Sequence, residues 1–148
     1  MFKHLLLPTD GSKLSDKAVQ RGIEFAKEVK ARVTAVHVIP EFRMMADESF
    51  VLPTSADLKK RYEKETRARA EKMLARIGER AQAAGVKYES VVIMGDIPYD
   101  EIINTAKKHK CDLIMMASHG RRGLSALLLG SETAKVLIHS KIPVLVVR

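Results

Sequence analysis

Tryptophan is absent from this 148-residue sequence, cysteine occurs once, and aromatic residues make up only 5%. A lone cysteine, Cys111, excludes an internal disulfide and any multi-cysteine zinc site, and it reads as a small buried hydrophobe. No apolar run approaches the roughly 20 residues a membrane helix needs. The opening MFKHLLLPTDGS turns polar too early for a secretory signal, so the expected location is the cytoplasm, with no membrane partner. The formal charge of +8 and the pI near 9.7 imply an anionic partner. Without tryptophan or basic residues interleaved with aromatics, that partner is not expected to be nucleic acid. Much of the charge falls in KKRYEKETRARAEKMLARIGER (59–80), where acids alternate with bases as on a solvated helix face.

What is present is the length of one domain, 1–148, enough to bury a core of its own. Short runs rich in valine, isoleucine and leucine alternate with longer amphipathic segments, the pattern of repeated strand–helix units and a parallel sheet. Strands are predicted at 4–8, 32–38, 88–94, 113–117 and 144–147, with helices near 13–29, 57–84, 98–109 and 131–140. The second helix is the clearest, because Ala70, Met73, Leu74, Ile77, Ala81 and Ala84 recur at three- and four-residue spacing before Gly85. The fold expected is a single-domain α/β protein with an open five-stranded parallel sheet and helices on both faces. By analogy with the commonest winding, the strand order is 3-2-1-4-5. That order sets PTDGS (8–12) beside SHGRRGLSALLLGS (118–131) at the carboxyl edge. PEFRMMADESFVLPTS (40–55), carrying Met44, Met45, Phe50 and Leu52, is the one long connection: a lid, a partner surface, or cover for the second strand and helix.

In the 118–131 segment, Gly120, Gly123 and Gly130 let backbone N–H groups approach a bound group closely. Gly130-Ser131 precedes a predicted helix whose positive dipole end faces the loop, an arrangement suited to phosphate. His119, Arg121 and Arg122 would add positive charge. The alternative is that the glycines serve only turns and a helix start. The loop is neither a Walker A motif, since no lysine precedes Ser131, nor a dinucleotide fingerprint, since only TDGS follows the first strand. Asp10, ending the first strand, either accepts from a ribose hydroxyl or adenine amine or caps the turn. Val38 either walls a base or belongs to the core. No catalytic set is legible, and any Mg²⁺ would come through phosphates rather than a dedicated site. A phospho-acceptor receiver is excluded by the absence of its acidic cluster, and a second substrate pocket for an adenylating or hydrolysing enzyme is not legible.

LLLPTDGSKLSDKA (5–18), HVIP (37–40), GDIPYDEII (95–103) and SKIPVLVVR (140–148) together resemble the universal stress protein family over nearly the whole chain. Its nucleotide-binding members carry G-x2-G-x9-G-[ST], and here the same positions read Ala117, Gly120, Gly130 and Ser131, three of four in agreement. The resemblance implies ATP or another adenine nucleotide as ligand. Pro8, Thr9, Asp10 and Val38 would surround the nucleoside. Gly120, Gly130, Ser131 and the backbone N–H of Glu132 would surround the phosphates, and the methyl of Ala117 would narrow the approach of the sugar. It further implies a homodimer paired through the last strands, an unidentified regulatory protein partner, and a stress-response role with slow or no ATP hydrolysis. A branch that dimerises without binding nucleotide is the alternative.

Overall fold

In the computed structural model, residues 1–43, 55–120 and 129–148 are described. Nine elements follow in strict alternation: β1 (His4–Pro8), α1 (Lys13–Val29), β2 (Arg32–Ile39), α2 (Ser55–Ala83), β3 (Tyr88–Met94), α3 (Pro98–Lys108), β4 (Leu113–Ala117), α4 (Ser131–His139) and β5 (Val144–Val147). The sheet runs β3-β2-β1-β4-β5, every pair parallel, in agreement with the strand–helix alternation and with the order expected by analogy. Element ends move by one or two residues from the sequence expectation, with β2 reaching Ile39 and α2 starting at Ser55.

Strand periodicity divides the core in two. On β1, Leu5 and Leu7 join Val19, Ile23 and Ala26 of α1 and Leu74, Ile77 and Ala81 of α2. Leu6 points the other way, into a cluster with Ile102, Ile103 and Ala106 of α3 and Val136 of α4. β4 repeats the division, with Leu113 and Met115 on the first face and Ile114 and Met116 on the second. Both central strands are buried along their whole length, which is why they read as continuous apolar runs rather than alternating ones. Cys111 belongs to the second cluster, and burial pushes its thiol up to about 12, as expected of a structural cysteine.

At the amino edge of the sheet a polar chain crosses four elements. Thr34 Oγ1 donates to Glu89 Oε1 at 2.7 Å, so His4 Nε2, 2.7 Å from Thr34 Oγ1, must be the donor in that bond. His109 Nδ1 donates to the same carboxylate oxygen at 2.9 Å. His4 is 3% exposed and its Nδ1 has no partner, the arrangement of a neutral imidazole. Burial, followed by nearby Arg32, lowers its pKa below the ordinary 6.5, outweighing the attraction of Glu89. Its 3.8 Å approach to Glu89 is therefore no ion pair at neutral pH. The unfolded chain then binds a proton that the native one refuses, so this contribution to stability is full above pH 6.5 and declines as pH falls through the native pKa. Denaturant midpoints should fall from pH 7 towards pH 5, and His4→Gln should flatten that slope. Glu89, whose bonds to Thr34 and His109 lower its pKa, acts in a separate window below 4.5.

Candidate functional site

β1 ends in a tightly bonded turn. The Thr9 amide donates to Val36 O at 2.9 Å, and His37 Nδ1 donates to Thr9 O at 2.7 Å, tying the turn to β2 on both sides. Ser15 Oγ spends its proton on Ser12 O, so Thr9 Oγ1, 3.1 Å away, donates to Ser15 and fixes the turn to α1. Asp10 Oδ1 accepts from the Ser12 amide at 2.9 Å, while Gly11 takes φ +76°, a conformation costly for any other residue. Ser12 then caps α1, accepting from the Ser15 amide at 3.2 Å. Asp10 thus does make the turn-capping bond.

β4 opens on the same edge. The Gly130 amide donates to Ser118 O at 2.7 Å, and Thr133 Oγ1 donates to Ala117 O at 2.9 Å, so the start of α4 is laced to the end of β4. A Cβ on Gly130 would lie 3.1 Å from both Ser118 O and His119 Cα, backbone atoms that cannot rotate away. α4 therefore starts at a residue with no side chain to cap the helix's positive end. His119, half-buried, shares a 2.7 Å hydrogen bond between Nδ1 and Ser118 Oγ.

The two turns meet. A Cβ on Gly120 would collide with Asp10 Oδ2, so a carboxylate that ends β1 and a glycine that follows β4 stand against one another across the point where the winding reverses. Pro8 is buried at the end of β1, and Val38 is half-buried against the second core cluster, so Val38 serves as core and still shows part of its surface. Ser131 and Gly120 are exposed. Ala117 is 5% exposed, and strand alternation sets its methyl on the Leu113 and Met115 face, opposite the cluster that holds α4. Arg121, with Arg122 and Gly123, lies outside the described residues, as do Met44, Met45, Phe50 and Leu52 of the long connection. The described start of that connection covers α2: Tyr62 Oη donates to Pro40 O at 2.9 Å, and the Phe42 and Tyr62 rings are 5.4 Å apart.

Three participants were not legible in the sequence. His37 and Ser15 hold Thr9 from neighbouring elements. Glu132, expected to offer only its amide, also uses its side chain: Oε2 accepts from the Tyr99 amide at 2.9 Å and Oε1 pairs with Lys135 at 3.2 Å. α3 has no cap of its own at Ile97, so Glu132 supplies one from α4. Only the lack of a capping side chain before Pro98 signals that need. Among the described residues no group of three or more histidine, cysteine, aspartate or glutamate side chains could hold a metal ion.

The whole chain, residues 1–148, matches the family model described as the universal stress protein family. It belongs to that family. Universal stress protein MJ0531 of Methanocaldococcus jannaschii is 35% identical over all of this chain and 83% of its own length. The solved structure of MJ0577 from the same organism superimposes with a TM-score of 0.83 at 29% identity, covering 99% of this chain and 96% of that one. A universal stress protein crystallised in complex with cAMP superimposes at 0.71 with 25% identity, covering 99% and 97%. Family membership agrees with what the motif resemblance led us to expect, and strand order with the winding adopted by analogy.

Proposed function

We propose that this universal stress protein binds ATP or another adenine nucleotide at the carboxyl edge between β1 and β4, and acts as a homodimeric regulator of a stress response. The observation that carries this reading is the contact of Gly120 with Asp10, which brings a hydrogen-bond acceptor for a nucleoside up against the turn leading to α4. Pro8, Thr9, Asp10 and Val38 then take the nucleoside. Gly120, Gly130, Ser131 and the Glu132 amide take the phosphates, with charge from His119 and Arg121. The cAMP complex of the related protein supports an adenine nucleotide. Mg²⁺ enters with the phosphates, and hydrolysis is slow or absent, because no attacking group is assigned. The dimer forms through β5, an edge strand whose Leu145 is 37% exposed. Its compartment is the cytoplasm and its output passes through a regulatory protein partner.

Ala117, where the nucleotide-binding pattern has glycine, favours a second reading, a dimeric interaction module without nucleotide. The burial of its methyl on the face away from α4 favours the first. Ala117→Gly is accordingly expected to change ATP affinity less than about threefold, below 1 kcal/mol. The deciding experiment is to denature protein purified without added nucleotide, identify what is released, and titrate the emptied protein with ATP and Mg²⁺ by calorimetry. Released nucleotide or saturable binding supports the first reading; a dimer that neither carries nor binds nucleotide supports the second.

A further inference from the structure

The opposite edge of the sheet carries a concave surface. A cleft of about 390 Å³ lies between the α1–β2 and α2–β3 turns, lined by Lys3, Lys27, Lys30, Arg32 and Lys87 over a floor of Ala26, Ala31 and Val86. Register explains the convergence. The Arg32 amide donates to Lys3 O and the Val33 amide to Lys87 O, so three adjacent strands enter the sheet each bearing a cation, about 4.8 Å from strand to strand. Lys27 and Lys30 arrive from the end of α1.

No acidic residue lines the cleft, and none of these five side chains pairs with a carboxylate among the described residues. Elsewhere some of the bases pair with a carboxylate, as in Arg21–Glu24, Lys59–Glu63, Arg61–Glu65 and Arg80–Asp16. A helix dipole accounts for Lys27 in the last turn of α1, but not for Lys3, Arg32 or Lys87. Lys30 is placed at backbone expense: it ends α1 at φ 57°, where glycine is the easy residue, as Gly85 shows after α2 at φ 75°.

We propose that this cleft binds a compact oligophosphate, at a site separate from the carboxyl edge. Four flexible ammonium groups and one guanidinium match an anion with charge spread along a chain of phosphates better than a single carboxylate. No aromatic ring lines the cleft, so it offers no platform on which bases would stack.

Calorimetric titration of the full chain with sodium tripolyphosphate tests this. Lys30→Gly with Lys87→Gln should weaken binding at least about tenfold, while Lys60→Gln with Lys64→Gln, the same charge loss on α2, should weaken it less than about twofold. Glycine suits φ 57°, so the cleft variant is expected to melt no lower than the parent. Gly120→Val, at the opposite edge, where only the Asp10 side chain must give way, should leave tripolyphosphate binding in place. The proposal is overturned if both lysine pairs weaken binding equally, if Gly120→Val abolishes it, or if tripolyphosphate does not bind. It is equally overturned if a 20-nucleotide single-stranded DNA binds more tightly with the same lysine dependence, which would make the cleft a nucleic-acid surface.

Discussion

Gly120→Val is expected to weaken ATP binding by about ten- to a hundredfold while leaving the protein folded. Its Cβ would occupy the place of Asp10 Oδ2, and the side chain of Asp10 is the group best able to give way. Turning it breaks the bond that Oδ1 accepts from the Ser12 amide and withdraws the carboxylate from the proposed nucleoside site. Losing one hydrogen bond to a charged group costs about 1.5–3 kcal/mol, and each 1.4 kcal/mol is a factor of ten. Asp10→Ala removes the same acceptor and should cost about as much. The two losses are therefore not additive: the double variant should bind about as weakly as either single one, which a calorimetric double-mutant cycle reads directly. Additive losses would mean that Gly120 acts on the phosphates independently of Asp10.

The coupling of these two residues shows what the sequence could and could not disclose. PTDGS is recognisable as a strand end and turn, and the glycine spacing after β4 as a backbone approach, because both depend on local chemistry. Their contact depends on β1 and β4 being neighbours, which was assumed by analogy and is now observed. Alternation of apolar runs and amphipathic segments sufficed for all nine elements, since buried parallel strands and one-sided helices carry opposite periodicities. The contacts that lock the turns are long-range and leave no local pattern. Glu132 caps a helix more than 30 residues before it in sequence, and His37 reaches across a sheet to a carbonyl. Neither partner has a motif, because a long-range hydrogen bond leaves no spacing to read. For the same reason the chain from His4 through Thr34 and Glu89 to His109 was invisible, though each residue stands plainly in the sequence.

Leu6→Ala separates the two roles of β1, as centre of the core and as support for the turn that follows it. Leu6 is fully buried, pairing in register with Thr34 on one side and Ile114 on the other, beneath Ile102, Ile103 and Val136. A central strand bonded on both edges cannot sink into the space left by three missing carbons, so the cost should lie well inside the range of about 2–5 kcal/mol for such truncations. At about 2–4 °C per kcal/mol for a domain of this size, the melting temperature should fall by roughly 10 °C. Binding should respond differently. Thr9 and Asp10 are held by Val36, His37, Ser12 and Ser15, none of which is replaced. ATP affinity measured well below the melting transition should therefore stay within about twofold of the parent, since distant and independent effects add. A large loss of affinity in the folded variant would mean that the packing of β1, and not the hydrogen bonds of its terminal turn, sets the position of Asp10.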